Sequence, residues 1–210
     1  MTVIPNGKLP TRLLEEVLAG QEAPPSVLLG SGIGRDAAVL DPGGDLIVAA
    51  ADPITFAGER PAHYALQVNA NDVAVMGARP AWFLATVLLP KGTTDDEVRE
   101  LFADLRRSCA ETGVSLVGGH TEVTSAAAHV VIAGTMLGVL AKGRLLDAGT
   151  VRAGDELWLA GPLAIEGTAI LCREAADELR AAGVDEATIA AGARLLDDPG
   201  INIVAAALLL

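Results

Sequence analysis

The sequence predicts a mixed α/β protein with one complete domain and the start of a second. Apolar runs typical of strands are interspersed along the chain with stretches of helical periodicity. Hydrophobic residues make up 51% of the 210 positions, which is enough for a substantial core. The composition becomes polar and rich in turn residues near 142–155. We therefore predict an N-terminal domain over 1–148 and the start of a C-terminal α/β domain over 149–210.

The first part of the chain predicts a helix, a hairpin and a second helix. The stretch 9–20 has helical periodicity and a stop signal at Gly20. Its apolar face is formed by Leu13, Leu14, Val17 and Leu18. Two apolar runs flank "PGG" within 37–52, which indicates a β-hairpin. Residues 60–78 suit a helix with Pro61 in its first turn.

The middle of the chain predicts three strands and a long helix. Strands are expected over 81–90, 114–119 and 129–140. The helix over 93–113 opens with hydroxyl and acidic residues, which complement a helix N-terminus. Because the strands are nearly continuous apolar runs, we expect both faces of their sheet to be buried. Helices can cover one face, and the other needs a second sheet or a partner subunit.

The second domain begins with a predicted strand over 156–163, followed by helices over 163–182 and 185–196. The sequence ends in "NIVAAALLL", and natural C-termini are seldom so apolar. We therefore expect this domain to be cut short at residue 210.

Charge and composition exclude several classes of function. The net charge of −12 argues against a nucleic-acid partner, because no basic surface is available for a phosphate backbone. An acidic protein that handles a polyphosphate needs a metal ion between itself and its ligand. Cys109 and Cys172 are predicted to be reduced, partly buried thiols. The N-terminus does not resemble a signal peptide, and the apolar run from His129 is too short for a membrane span. We expect a soluble cytoplasmic protein without a membrane partner.

The stretch "GSGIGRDAAVL", residues 30–40, contains a cluster of glycines beside a carboxylate. It lacks the GxxxxGK[ST] pattern of a P-loop. It is also a poor Rossmann fingerprint, because a strand is expected after the glycines where that motif has a helix. A flexible turn and a ligand-binding loop remain the two interpretations of this segment.

Three aspartates occupy unusual positions. Asp36 stands between the glycines and a strand, and Asp52 ends the apolar run "LIVAAAD". Asn69 and Asp72 lie on one face of a helix whose other residues are mostly apolar. Buried carboxylates are costly unless they are paired or bound to a metal. Together the aspartates predict an oxygen-rich Mg²⁺ site. The alternative is a turn residue, a strand-end cap and a hydrogen-bonded pair within the helix.

The stretch "LVGGHTEVT" adds a further candidate element, a strand that runs into Gly118 and Gly119. Small residues allow a ligand or another backbone to approach closely. Glu122 is a candidate to complete the metal shell, and His120 is a candidate proton-transfer group or phosphate donor. The alternative for His120 is an ordinary loop histidine.

In this order, "GIGRDAAVL", "AADPITF", "VNANDVAVMGARP" and "VGGHTEVT" resemble the ATP-binding aminoimidazole ribonucleotide synthetase (AIR synthase) superfamily. This superfamily includes thiamine-monophosphate kinase, selenophosphate synthetase and the hydrogenase maturation factor that dehydrates a carbamoyl thioester. The resemblance covers about residues 7–200, and "AGDELWLAGPLAIEGTAIL" is most similar to the hydrogenase maturation branch.

The resemblance implies a four-stranded N-terminal sheet that closes a barrel with the sheet of a second subunit. It implies ATP near the interface of this homodimer, with Mg²⁺ held by Asp36, Asp52 and Asp72. The glycine loop would be a flap over the phosphates. The catalytic candidates are His120 and Glu122. The candidate nucleotide-binding residues are Gly32, Gly34, Asn69, Gly118, Gly119 and Thr121.

The function that the resemblance implies is Mg²⁺- and ATP-dependent phosphorylation and dehydration of an oxygen on an amide-like substrate. That substrate would be a small molecule or a group carried by a protein. A non-catalytic nucleotide-binding dimerisation module and a small-molecule kinase similar to thiamine-monophosphate kinase are the alternatives. Many relatives have an acid where His120 stands, so the metal shell here would depend more on Glu122.

Overall fold

A computed structural model describes residues 4, 8–19, 23–55 and 60–209. The predicted helix stop at Gly20 lies outside the described residues. The α-helices are α1 (Thr11–Leu18), α2 (Pro61–Ala74), α3 (Asp95–Thr112), α4 (Ile165–Glu174), α5 (Ala176–Ala181), α6 (Glu186–Ala193) and α7 (Val204–Ala207). The strands are β1 (Val27–Leu29), β2 (Ala38–Leu40), β3 (Leu46–Ala50), β4 (Pro53–Ile54), β5 (Arg79–Leu89), β6 (Ser115–Val123) and β7 (Val131–Leu140).

The described strands form one mixed sheet in the order β1-β2-β3-β7-β5-β6, and β4 also pairs with β7. Only β5 and β6 are parallel, and α3 connects them as a crossover helix. The prediction of a four-stranded sheet is wrong, because the sheet has seven strands. The predicted hairpin is confirmed as β2–β3, and the pairing of β1 with β2 extends the sheet beyond it.

Helix α2 covers one face of the sheet, and α3 packs beside it. The helix begins at Pro61. Backbone N–H groups in the first turn of a helix have no partner within the helix, so the lack of an N–H in proline costs no hydrogen bond there. Its many small and apolar side chains are buried against the sheet. The largest fully buried side chains include Leu66 from α2, Phe83 from β5 and Met136 from β7. The main core therefore lies between α2 and the middle of the sheet.

The termini of α3 show why the sequence stops and starts this helix where predicted. Thr94 and Glu97 form a reciprocal capping box, in which each side chain bonds the backbone N–H of the other. Gly113 ends the helix in the left-handed conformation at φ 71°.

In the single chain the described helices cover one face of the sheet, and burial of the other face by a second sheet or a partner subunit stays a prediction. Along β5, buried and part-exposed side chains alternate, and β7 does the same over most of its length. Strand β6 is exposed at almost every position, and it has no neighbour on its outer side among the described strands. The face opposite α2 and the β6 edge are thus left open by the helices within the described residues.

The predicted strand over 156–163 is also wrong, because these residues pair with no strand of the described chain. Leu157 and Trp158 are almost completely exposed. The predicted helix over 163–182 is divided into α4 and α5 at Ala175, whose φ of −121° is not helical. The domain boundary at residue 148 stays a prediction. In the described ranges, every helix falls short of the length and hydropathy that a bilayer span requires.

Candidate acid site and edge strand

The side chain of Asn69 fixes the backbone at Asp52, the residue that follows β3. The Asp52 N–H donates to Asn69 Oδ1 over 2.9 Å, and Asn69 Nδ2 donates to the Asp52 carbonyl over 3.0 Å. Asn69 Nδ2 also donates to the carbonyl of Ala65, one turn earlier in α2, over 2.8 Å. Asn69 is completely buried. Its amide is thus occupied by protein groups, and its role is to position Asp52.

Gly134 in β7 makes room for this arrangement. Its backbone N–H donates a second hydrogen bond, of 3.0 Å, to the Asp52 carbonyl. A β-carbon on Gly134 would lie 2.5 Å from Asn69 Nδ2 and 2.6 Å from the ring of Phe83. Sequence reasoning did not select Gly134. The available signal was a glycine inside a strand, which often marks a close approach of another group.

Asp72, one turn along α2 from Asn69, lies among other carboxylates. Burial, the charges of Asp52 and Asp36, and a hydrogen bond with the Asp52 side chain together raise the pKa of Asp72 to about 7. Lys8 acts in the opposite direction and lowers the pKa of Asp72. We call Asp36, Asp52 and Asp72 the acid site. The fold therefore brings the three predicted aspartates into electrostatic contact, and it adds a cation that sequence reasoning missed.

The acid site does not have a preformed coordination shell. Within the described residues, no group of three or more His, Cys, Asp or Glu side chains is arranged so that it could hold a metal ion as it stands. The donor chemistry nevertheless fits Mg²⁺, because all three groups supply carboxylate oxygens and repel one another in a part-buried position. Asp36 lies on the exposed glycine loop.

The glycine loop lies at the mouth of an open pocket next to the acid site. The pocket has a volume of about 420 Å³, and Gly34, Arg35 and Asp36 form one wall. The opposite walls come from the end of α2 and from residues 145–151. Gly34 adopts φ 72°, a conformation that favours glycine. Arg35 donates to the carbonyl of Gly30 over 3.3 Å, and the arginine side chain lies against Gly32.

The residues from Gly118 to Glu122 lie inside β6, although the predicted strand ended at Gly119. His120 Nε2 lies 3.3 Å from Glu122 Oε2, and both side chains are exposed. A second open pocket, with a volume of about 330 Å³, is lined in part by the four residues from Gly118 to Thr121.

Gly119 is required by the backbone of β6. Its φ of 141° is rare for residues with side chains, and an added β-carbon would overlap the backbone of Ala85 on β5. Gly118 has no such restriction, because its β-carbon would lie 3.8 Å from the nearest atom, on Leu84.

The edge strand and the acid site are separate in one chain. In the sheet register, Pro53 faces Ala133, Ala133 faces Thr86, and Thr86 faces His120. Three strand spacings place His120 about 14 Å from the backbone beside Asp52. The structure therefore gathers the three aspartates with Asn69, and it leaves the pair His120 and Glu122 apart from them.

A model of the N-terminal domain of AIR synthase related proteins matches residues 34–140, just over half of the chain. The chain belongs to the AIR synthase related family. The resemblance of its motifs to this family is thereby confirmed, and the matched region includes Asp36, Asp52, Asp72 and the β6 residues.

Known members of the AIR synthase related family support this assignment. Carbamoyl dehydratase HypE of Rhodobacter capsulatus is 33% identical over 171 residues, which are 79% of this chain and 50% of that protein. The crystal structure of E. coli HypE has a TM-score of 0.59 and 25% identity, and the match covers 79% of this chain and 52% of that one.

The structure of AaThiL complexed with AMPPCP and TMP has a TM-score of 0.68 over 93% of this chain and 60% of that one. At 19% identity, that likeness concerns the fold alone. The chain spans about half the length of the curated relatives that it matches.

Proposed function

We propose that this protein binds ATP with Mg²⁺ and takes part in a phosphoryl transfer of the HypE type. In that reaction an amide-like oxygen is phosphorylated, and the oxygen then leaves with the phosphate as the group is dehydrated. The observation that carries the proposal is the proximity of Asp36, Asp52 and Asp72 at a part-buried point, where burial and the two neighbouring carboxylates raise the pKa of Asp72. Such an arrangement destabilises the protein, and a divalent cation would relieve the repulsion.

In this proposal Asp36, Asp52 and Asp72 hold Mg²⁺. The ion supplies the positive charge that lets a protein of net charge −12 bind a triphosphate. Asn69 keeps Asp52 in place through its two hydrogen bonds to the Asp52 backbone. The role of the protein is thus to align the reacting groups and to neutralise their charge, the two effects that dominate catalysis of phosphoryl transfer.

The pocket beside the glycine loop supports a ligand at this position. Its volume of about 420 Å³ lies in the range of small-molecule sites, and Asp36 is in its wall. Gly32 and Gly34 give the loop the freedom to close over phosphates and exclude water. Gly118, Gly119 and Thr121 would contact the nucleotide from the edge strand.

A homodimer is part of the proposal, and the open face of the sheet supports it. The exposed β6 edge and the part-exposed side chains of β5 and β7 suit a second copy of the sheet. Pairing of the two sheets would also bring His120 and Glu122 close to the acid site of the other subunit. There they would transfer the protons released during dehydration.

The proposed substrate is an amide-like group on a small molecule or on a protein. The support is the similarity to HypE, which is named a carbamoyl dehydratase. Phosphorylation converts the amide oxygen into a leaving group, and its departure as phosphate requires loss of protons from the nitrogen. An exposed histidine–carboxylate pair is suited to accept them.

Calorimetric titration with Mg²⁺-ATP tests the metal and nucleotide assignment. We expect Asp36→Asn and Asp72→Asn to weaken binding at least about tenfold, because each removes a charged oxygen ligand. Asp45→Asn, an exposed position in the β2–β3 turn, is the control with the same change of charge. If Asp72→Asn binds as tightly as the control, the metal assignment is wrong.

Release of ADP with candidate acceptors separates the alternatives. Release that depends on a carbamoyl or other amide compound supports the dehydrating enzyme. Release only with hydroxyl or phosphate acceptors supports a small-molecule kinase. Tight Mg²⁺-ATP binding without turnover supports a nucleotide-binding dimerisation module.

A further inference from the structure

Helix α2 has two polar faces that point in different directions. Asn69 and Asp72 lie toward the acid site. Tyr64, Gln67 and Asn71 have the spacing i, i+3 and i+7, which places them together on another face. We call these three residues the docking face. All three contact residues from the last fifth of the chain.

Asn71 binds the backbone of the segment 201–203 at two points. Asn71 Nδ2 donates to the Ile201 carbonyl over 2.7 Å, and the Ile203 N–H donates to Asn71 Oδ1 over 3.0 Å. This is the pattern by which a neighbouring strand would satisfy the same backbone groups. The contact therefore depends on the orientation of the amide, and an apolar side chain cannot replace it.

Gln67 and Tyr64 extend this contact along the helix. Gln67 is buried and accepts a hydrogen bond from the side chain of Asn202. Tyr64 Oη lies 3.4 Å from Arg173 Nη1 on α4. Arg173 in turn donates to Asp197 over 2.9 Å and to the Ala193 carbonyl over 2.7 Å. Polar contacts thus join α2 to both α4 and the segment before α7.

We propose that the docking face is a positioning device for the acid site. The segment 201–203 holds α2 through Asn71 and Gln67, and α2 holds Asp52 through Asn69. Asn71 is adjacent to Asp72 and two positions from Asn69, so one rigid helix connects both sets of hydrogen bonds. The significance of this device for catalysis rests on the proposed function, but the coupling of the two sites requires neither metal nor nucleotide.

Amide hydrogen exchange without metal or nucleotide tests the coupling. The reporters are the Ile203 N–H, bound by Asn71, and the Asp52 N–H, bound by Asn69. In Asn71→Ala we expect both amides to exchange at least about tenfold faster, because two hydrogen bonds are lost and the helix loosens. If only the Ile203 amide accelerates, the positioning role is overturned.

The control must lower stability without touching the docking face. Thr94→Ala removes the N-cap of α3, which costs about 1 kcal/mol. If the two amides exchange through local opening around α2, this variant should leave both exchange rates nearly unchanged. If Thr94→Ala accelerates the two amides as Asn71→Ala does, the effect is one of global stability and the proposal is wrong.

A second variant leaves α2 itself unchanged. Asn202→Ala removes the partner of Gln67 from the segment side. We expect the same pattern with a smaller acceleration, of about threefold, because only one hydrogen bond to α2 is lost, together with the bond from the Val204 N–H to Asn202 within the segment. An Asp52 amide unaffected by this change, beside an accelerated Ile203 amide, would contradict the proposal.

Mg²⁺-ATP titration of the same variants separates this inference from the proposed function. If the wild-type protein binds Mg²⁺-ATP, we expect Asn71→Ala to bind it about five- to tenfold more weakly, because coupling between sites is reciprocal. Equal affinity in wild type and Asn71→Ala overturns the positioning role. If the wild-type protein does not bind Mg²⁺-ATP, the proposed function fails, and the exchange experiment alone decides the coupling.

Discussion

The acid site and the edge strand are built in opposite ways. The backbone at Asp52 is fixed by buried hydrogen bonds from Asn69 and Gly134, and Asp72 lies in the part-buried end of α2. The edge strand β6 exposes His120 and Glu122 and depends on a glycine conformation for its backbone. The acid site is therefore positioned by its own chain, whereas the edge strand presents side chains for something else to complete.

This difference separates residues that position from residues that react. Asn69 is completely buried, and each polar atom of its side chain is bonded to protein, as expected of a positioning residue. His120 has the reverse properties, because it is exposed and has one neighbouring carboxylate. Substitution of Asn69 should therefore affect mainly stability, and substitution of His120 should affect mainly function.

The largest effect on stability is expected from Gly119→Ala, which would break the edge strand. The new β-carbon would overlap the Ala85 carbonyl and lie 2.8 Å from the Ala85 nitrogen, in a backbone conformation unfavourable to alanine. We expect a loss of roughly 3–5 kcal/mol in the free energy of unfolding, measured in urea. The neighbouring Gly118→Ala is the control and should change stability by less than about 1 kcal/mol. Equal effects would mean that the β6 conformation is not as described.

Asn69→Leu tests the rigidity of the acid site. It removes the hydrogen bonds to the Asp52 backbone and to Ala65 and leaves a buried N–H unpaired. We expect a loss of about 2–4 kcal/mol in urea unfolding, because an unpaired buried polar group is costly. Glu100→Leu, at an exposed position in α3, should cost much less. A similar loss in both variants would show that the hydrogen bonds of Asn69 to the Asp52 backbone contribute little to stability.

The pH dependence of stability should reveal the strain at Asp72. Its pKa is about 7 in the folded protein against an ordinary 3.8, so the folded state binds more protons between these values. The contribution of Asp72 to the free energy of unfolding is thus fully present below about pH 4, and it is lost as the pH rises to about 7. Solvent screening of this part-exposed group reduces the loss to about 1–2 kcal/mol.

Asp72→Asn should remove that loss. In the presence of a chelator, we expect the variant to be more stable than the wild type at pH 8 and nearly equal to it at pH 4. Urea unfolding of Asp72→Asn and of Asp45→Asn at both pH values measures the difference. A gain that is the same at both pH values would show that Asp72 has an ordinary pKa.

The smallest change in stability is expected from His120→Gln on the edge strand. The histidine and Glu122 are exposed, so unfolding in urea should change by less than about 0.5 kcal/mol. If the proposed proton transfer is correct, phosphate release with the amide substrate should fall about 100-fold, because His120 is proposed to act in the step that expels phosphate. Unchanged phosphate release would remove His120 from the catalytic residues.

Local patterns in the sequence predicted what depends on neighbours along the chain. The hydroxyl and acidic residues at the start of α3 and the proline at the start of α2 placed two helices correctly, and the "PGG" turn placed the β2–β3 hairpin. The grouping of Asp36, Asp52 and Asp72 was predicted from their unusual positions, and the electrostatic contact at Asp72 agrees with it.

Features that depend on distant pairing could not be predicted in the same way. The strand propensity of "ELWLAGPL" is high, but propensity does not supply a partner strand, and residues 156–163 pair with none in the described chain. The separation of His120 from the acid site follows from the register of three strand pairs. Lys8 and Asn71 act across the fold, and nothing in their local sequence marks them.

The shared carbonyl of Asp52 has a consequence for the order in which the protein forms. This oxygen accepts hydrogen bonds from Asn69 and, much later in the chain, from Gly134. A nascent polypeptide therefore cannot form both hydrogen bonds to the Asp52 carbonyl until β7 has left the ribosome and paired with β3. We expect the carboxylates to come together late in synthesis, when most of the sheet is present to keep them in place.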